Sequence, residues 1–254
     1  GYFGMPHILL RFMAIEDEKK LKLSRRVATI WVVISLFVAV FIGVIGYTMS
    51  KVGALEMLTG SNSETIIVKI SALLSQYGVI FALLAGVILA GILASTMSTS
   101  DSQLLAASSA VSSDILGAFR KDSSNKNGSM AAARITLLVI SVVAAFIARN
   151  PDSSVFAIVS FAWAGFGAAF GPVVLFSLFW KRTSKWGALA GMVCGGSMVF
   201  IWKYLIRPLG GIWNIYELLP AFLIACAAIV IVSLLTPKPS KEIEEEFDRV
   251  AQMK

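Results

Sequence analysis

Residues 77–102 read YGVIFALLAGVILAGILASTMSTSDS, an apolar run without charge as far as Ser100 that ends in a cluster of side-chain oxygens. As a helix, its apolar part is long enough to cross the ~30 Å hydrocarbon core of a bilayer. Seven of the ten residues from Leu93 to Ser102 carry a hydroxyl or carboxylate oxygen. Polar groups are costly at membrane depth and usually serve a function there. The stretch therefore predicts a membrane-spanning helix that binds a small hard cation, with sodium as the main candidate.

The composition supports an integral membrane protein. Of the 254 residues, 57% are hydrophobic and only 15% are charged, against about 25% charged residues in soluble domains. The net charge of +7 falls in short clusters between apolar runs, which is typical of loops in a membrane protein and argues against a nucleic-acid partner. Cys194 and Cys226 lie in apolar runs without metal-ligand spacing, and His7 is the single histidine. We therefore interpret the chain as part of a protein that is not an enzyme.

Six apolar runs are long enough to span a bilayer. We expect transmembrane helices at about 27–50, 77–118, 131–148, 153–180, 186–206 and 215–235. Between the first two, residues 65–74 predict a short surface helix. In the fifth run, Gly187, Gly191 and Gly195 recur every four residues, a spacing that lets a neighbouring backbone approach closely.

The distribution of basic residues predicts the orientation. Of the 22 lysines and arginines, 17 lie in or beside the loops 15–26, 119–130 and 181–185 and the tail 236–254. Because cytoplasmic segments carry the excess of positive charge, we expect these segments and the C-terminus to be cytoplasmic.

The first residues resemble the end of an interrupted helix. Gly1, Gly4 and Pro6 lie within six positions, where proline removes a backbone donor and glycine weakens helical order. Broken helices at membrane depth line cavities and often form substrate sites, so we expect 1–14 to end a broken transmembrane helix. A plain loop that leads into a helix is the alternative. The chain begins without Met, and we expect it to be a C-terminal fragment that acts together with a missing N-terminal half of the same polypeptide.

The hydroxyl groups share one face of the predicted helix. Ser95, Ser98, Thr99 and Ser102 follow the spacing i, i+3, i+4, i+7. The hydroxyls of Ser98 and Thr99 and the carbonyl of Ser95 could supply part of a sodium shell, and Asp101 with Ser102 could form a second cation site. Alternatively, such hydroxyls bond carbonyls of their own helix or join helices together.

Three segments carry a resemblance to a known family: GYFGMPHIL with RFMA at 1–9 and 11–14, AGILASTMST at 90–99, and AWAGFGAAFGPVVLF at 162–176. They resemble the proline branch of the bacterial solute:sodium symporter family. The resemblance implies the C-terminal part of an all-α transporter with two inverted five-helix repeats. It also implies sodium-coupled symport of L-proline by alternating access across a bacterial cell membrane, with no cofactor besides the coupling ion. A sibling symporter for another small solute and a transporter-fold membrane sensor are the alternatives.

The resemblance also implies roles for individual residues. Ser98 and Thr99 fall on the family's sodium-binding hydroxyls, and Ser95 falls on its carbonyl ligand. Tyr2 and Pro6 fall on positions linked to proline binding. Trp163 and Phe166 lie on a helix that lines the outer cavity. The chain departs from the family pattern where Met5 replaces the usual glutamine and where Asp101 and Ser102 stand in place of serine and cysteine.

Overall fold

The computed structural model describes residues 2–115, 126–149 and 154–252, and within these ranges the chain forms helices and no strands. The α-helices are α1 (Pro6–Met13), α2 (Leu21–Lys51), α3 (Ile66–Leu74), α4 (Val79–Ser109), α5 (Lys126–Ile147), α6 (Val155–Phe179), α7 (Lys185–Ile201), α8 (Leu218–Leu235) and α9 (Lys241–Gln252). Among the described residues, six helical segments are long and apolar enough to cross a membrane. The predicted all-α membrane fold with six spans is confirmed.

Several helix bounds differ from those expected. The first spanning helix begins at Leu21, ahead of the expected position 27, because its basic first turns can lie in the headgroups or water rather than in hydrocarbon. Two spanning helices continue into a π-helical turn at their C-terminal ends. The turn after α4 is Ala110–Ile115, and the turn after α7 is Trp202–Ile206. The short helix expected at 65–74 is present as α3. Most of the expected loop 119–130 lies outside the described residues.

The chain divides into two compact units, Gly1–Ala14 with Phe156–Lys254, and Ile15–Val155. In the second unit, α3 packs against both α2 and α4. Gly46 on α2 is buried at this contact, and a side chain there would meet Ile66 at the start of α3, with 2.6 Å to its Cδ1 atom. The glycine is therefore what lets α3 lie directly on α2.

In the first unit, α7 and α8 pack closely through glycines. A side chain at Gly187 would overlap Ser233, and one at Gly191 would overlap Ile229. The predicted close approach at the four-residue glycine repeat is confirmed, and α8 is the neighbour. Small residues allow such contacts between helices in a membrane, where van der Waals packing has to replace the hydrophobic effect.

The third glycine of the repeat also brings α6 into this contact. Gly195 lies against the carbonyl oxygen of Ala168 on α6, and its missing Cβ would be 3.0 Å from Ala225 Cβ on α8. Pro172 lies inside α6 and has no N–H, so the carbonyl four residues earlier, that of Ala168, lacks its helical donor. The buried carbonyl of Ala168, which has no helical donor, thus faces the one residue type that leaves room for it.

A buried group of hydroxyls joins the N-terminus of α7 to the end of α8. Ser184 caps α7 by accepting a 3.0 Å hydrogen bond from the N–H of Gly187. The N–H of Ser184 donates to Ser233 Oγ at 3.1 Å, and Ser184 Oγ lies 2.7 Å from Thr236 Oγ1. Because every member has a partner, this polar cluster stabilises the helix pair.

Candidate cation and substrate sites

The oxygen cluster lies on α4, and its predicted ligands are neighbours on one helix face. The Thr99 hydroxyl donates a 3.3 Å hydrogen bond to the carbonyl oxygen of Ser95. One turn further on, the Ser102 hydroxyl donates to the carbonyl of Ser98 at 3.0 Å. Ser95, Ser98 and Thr99 are exposed within their unit. The alternative interpretation of the sequence was that these hydroxyls bond carbonyls of their own helix. Thr99 and Ser102 do form such bonds.

These bonds are compatible with cation binding. A hard cation of about the size of Ca²⁺, which Na⁺ nearly matches, binds oxygens at about 2.3–2.6 Å, so two ligands at right angles lie roughly 3.3–3.7 Å apart. The 3.3 Å between Thr99 Oγ1 and the Ser95 oxygen falls at this spacing. The Thr99 hydroxyl oxygen keeps both of its lone pairs when it donates, and the Ser95 carbonyl, which also accepts the helical N–H of Thr99, can exchange the hydroxyl bond for a cation. The pair can therefore form one edge of a cation's oxygen shell, with Ser98 beside it.

The candidate second cation site follows immediately along α4. Asp101 is exposed, Ser102 is half-buried, and the Ser102 hydroxyl is turned back toward the carbonyl of Ser98. A carboxylate next to a row of neutral oxygens adds the negative charge that favours cations. Both residues remain predicted ligands.

In the first unit, the helix break lies at Met5. Tyr2–Gly4 form a 3-10 turn, Met5 is extended at φ −86° and ψ 118°, and Pro6 takes the first helical position of α1. Proline suits that position because its N–H would have no helical partner there. Met5 is 3% exposed, so this residue points into the protein, whereas Pro6 is exposed.

The 3-10 turn is fixed on the glycine-rich middle of α6. A Cβ atom on Gly4 would lie 2.8 Å from the nitrogen of Gly171, 2.9 Å from the carbonyl oxygen of Phe166 and 3.0 Å from the Cα atom of Gly167. These are backbone atoms, so no side-chain movement could make room for a larger residue. Gly4 is thus required for the turn to contact α6.

This contact brings two predicted site residues together. The rings of Tyr2 and Trp163 have centroids 6.0 Å apart and are tilted by 47°, within the range of favourable aromatic pairs. Phe166 instead stacks on Phe170 of its own helix at 6.2 Å, while its carbonyl contacts Gly4. The residue predicted to bind substrate and the one predicted to line the cavity therefore form one aromatic surface.

Two residues at this contact were not predicted. Phe3 packs edge-to-face on Phe222 of α8, with centroids 6.3 Å apart. A Cβ atom on Gly171 would lie 3.1 Å from Phe222 and 3.2 Å from Phe3. The sequence does show two aromatic residues next to the break, but it does not show which helix they meet.

The segment between α7 and α8 is held by polar contacts. Arg207 Nη1 lies 3.0 Å from Glu217 Oε2, whose side chain is 3% exposed. The Tyr216 hydroxyl donates a 2.5 Å hydrogen bond to the carbonyl of Ser160 on α6. Burial, and to a lesser extent the charge of Glu217, raises the pKa of Tyr216 above its ordinary value. The phenol is protonated at neutral pH even at the ordinary tyrosine pKa, and the raised pKa extends its bond to α6 to higher pH.

Six apolar spans, a backbone break beside an aromatic pair and a row of oxygens on a spanning helix together define a multi-pass membrane protein with the features of a transporter. A sequence model described as "Sodium:solute symporter family" matches residues 1–195. The chain belongs to this family, which is one of transporters rather than enzymes, as predicted.

Three similar proteins have names that mention proline. The sodium/proline symporter of Salmonella typhimurium is 40% identical over 97% of this chain and 47% of its own length. That of Haemophilus influenzae is 40% identical over 98% of the chain and 49% of its length. The osmoregulated proline transporter OpuE of Bacillus subtilis is 38% identical over 95% of the chain and 47% of its own length. The chain therefore spans about half the length of these relatives. No solved structure gives a significant match.

Proposed function

We propose that the protein to which this chain belongs couples inward movement of sodium to uptake of L-proline by alternating access. It works in a bacterial cell membrane with its C-terminus in the cytoplasm. Family membership and the printed names of the relatives, which are sodium/proline symporters and proline transporters, support this proposal. The orientation is supported by the 17 of 22 basic residues assigned to the cytoplasmic side.

The observation that carries the cation part of the proposal is the oxygen edge on α4. Thr99 Oγ1 and the Ser95 carbonyl are spaced as neighbouring ligands of one cation, in a helix apolar enough to span the membrane. Neutral oxygens suit a monovalent ion, which is held loosely enough to be released on the other side. Ser95, Ser98 and Thr99 thus form half of a sodium site, and the missing N-terminal half completes it.

The aromatic surface carries the substrate part. Proline is a zwitterion with an apolar ring, so a site for it needs an apolar wall as well as partners for its charges. Tyr2 and Trp163 supply such a wall at 6.0 Å from each other. The first turn of α1, which begins at Pro6, supplies the positive end of a helix dipole for the carboxylate.

Coupling follows from linkage between the two sites. Sodium that binds better to the outward-facing state shifts the protein toward that state, in which proline binds. Proline must then tighten sodium binding by the same factor. A change at the sodium site is therefore expected to alter proline uptake through its sodium dependence.

The test uses the full-length transporter in proteoliposomes. Thr99→Ala removes one of the two oxygens of the edge and should raise the sodium concentration for half-maximal proline uptake about tenfold, the effect of losing one ligand to a charged species. Thr96→Ala is the matched control, because Thr96 bonds the carbonyl of Ile92 at 3.0 Å and lies off the predicted ligand face. Equal sodium dependence in the two variants would contradict the site.

Two further readouts separate the alternatives. Unlabelled solutes other than proline should not compete with labelled proline uptake, whereas strong competition by another solute would indicate a sibling symporter. Proline binding without any uptake would indicate a sensor.

A further inference from the structure

The C-terminal helix α9 contacts the short loop between α6 and α7. Lys181 Nζ lies 2.5 Å from Asp248 Oδ2 and 4.0 Å from Glu244 Oε2. Glu244 and Phe247 are half-buried, whereas Glu245 is exposed. Only the face of α9 that bears Glu244 and Phe247 is partly covered. The helix therefore contacts the protein through one defined side.

The charges of the two partners are opposite. From Lys241 to Gln252, α9 has five acidic and two basic side chains, which is a net charge of −3. The loop at 181–185 has three basic residues and no acidic one. The inner surface of a membrane is negatively charged and attracts basic segments, so it repels an acidic helix. The loop is therefore the favourable partner for α9, and α9 competes with lipid headgroups for Lys181.

The start of the tail is already fixed at the same place. Arg182 Nη2 donates a 2.8 Å hydrogen bond to the carbonyl of Thr236, and Thr236 Oγ1 lies 2.7 Å from Ser184 Oγ. Only a short segment with Pro237 and Pro239 then leads to α9. Because proline stiffens a linker, α9 stays close to the loop and its effective concentration there is high.

We propose that α9 is an intramolecular latch that docks on the α6–α7 loop and joins the cytoplasmic ends of α6 and α8. This inference rests on the proposed function, because α6 carries Trp163 and a restrained α6 slows the step that moves the substrate site. Exposed ion pairs are individually weak and are screened by salt, so the latch opens and closes readily. Raised ionic strength is therefore expected to favour the open latch.

Charge reversal in the full-length transporter tests the latch. Lys181→Glu and Asp248→Lys each break the pair, and the double variant restores it with reversed charges. Glu245→Lys on the exposed face of α9 makes the same charge change without touching the contact. Spin labels on cysteines introduced at Lys185 and Val250, both exposed, report the distance between loop and helix by pulsed EPR in a background without other cysteines. Initial rates of proline uptake into proteoliposomes are measured for the same variants, without labels.

We expect each single reversal to broaden the distance distribution and to raise the uptake rate about two- to fivefold, because an exposed ion pair contributes up to about 1 kcal/mol. A lower rate would contradict the restraint on α6. The double variant should return both readouts to the wild-type values, and the control should leave both unchanged. Single reversals that leave the distribution narrow, or a control that broadens it equally, would overturn the docking. Broadening with an unchanged uptake rate would overturn the role of the latch in transport while leaving symport intact. If the wild type fails to transport proline, the proposed function fails, whereas the distance measurement still decides the docking.

Discussion

Replacing Gly195 by alanine is expected to weaken the packing of α7 against both of its neighbours. The added methyl group would fall on the carbonyl oxygen of Ala168, 2.8 Å from its carbon atom and 3.0 Å from Ala225 Cβ. The carbonyl belongs to the backbone of α6, so it cannot turn away as a flexible side chain would. The helices must separate locally to accept the methyl group.

The size of the effect follows from two opposing contributions. Overpacking a close contact costs about 1–3 kcal/mol. Alanine is a better helix former than glycine by roughly 0.5–1 kcal/mol, which offsets part of that cost. At Gly196, one residue along, the nearest atom to an added methyl would be Ala169 Cβ at 3.9 Å, an ordinary contact. Gly196→Ala therefore gains the helix contribution without the cost.

We expect the free energies of unfolding of the two variants to differ by about 1–3 kcal/mol, with Gly195→Ala the less stable. The assay is thermal unfolding of the full-length protein in detergent, followed by tryptophan fluorescence and checked by gel filtration. The same substitution in the same helix at adjacent positions controls for changes in insertion and expression. Equal stability of the two variants would refute the inferred packing of α7 on α6 and α8.

Two further predictions concern aromatic residues of the first unit. Trp163→Ala should raise the KM for proline uptake about three- to tenfold, because the aromatic wall is lost. Tyr2→Phe keeps the ring pair and should change the KM little. Equal KM values for the two variants would refute the aromatic surface. The pKa of Tyr216 is raised by burial and by the charge of Glu217, so the folded state holds the phenol proton more tightly than the unfolded chain. This stabilisation is complete below about pH 10, the ordinary tyrosine pKa, and is lost as the pH rises through the folded-state pKa. Tyr216→Phe should therefore flatten the alkaline fall in melting temperature, and an unaltered fall would show that another group causes it.

The spans could be predicted from the sequence because the bilayer sets one dominant requirement. A run such as 215–235 has to be apolar along its whole length, and that property is local and easily counted. The face shared by Ser95, Ser98 and Thr99 could be predicted for a similar reason, since helical periodicity fixes it without reference to any neighbour. The glycine repeat of α7 indicated a close contact, although not its partner.

Contacts between distant segments could not be predicted in this way. The Tyr2–Trp163 pair joins residues far apart in the chain, and no periodicity links them. Glu64 is a second example: within its unit it accepts hydrogen bonds from Ser154 and from the N–H of Val155, at the start of α6. The sequence shows Glu64 only as a loop residue. The extension of α2 back to Leu21 was missed because charged residues end a hydrophobic run without ending a helix.

The tight contact between α7 and α8 has a consequence for the biogenesis of the protein. The two helices are consecutive, and their partners, such as Gly187 with Ser233, meet without help from earlier parts of the chain. A helical hairpin of this kind can close as soon as its second helix leaves the insertion machinery, because the loop-closure entropy is small. The completed hairpin can then pack against α6. We expect α7 and α8 to insert and pack as one cooperative unit. Substitutions that disrupt α8 should therefore also impair the membrane integration of α7.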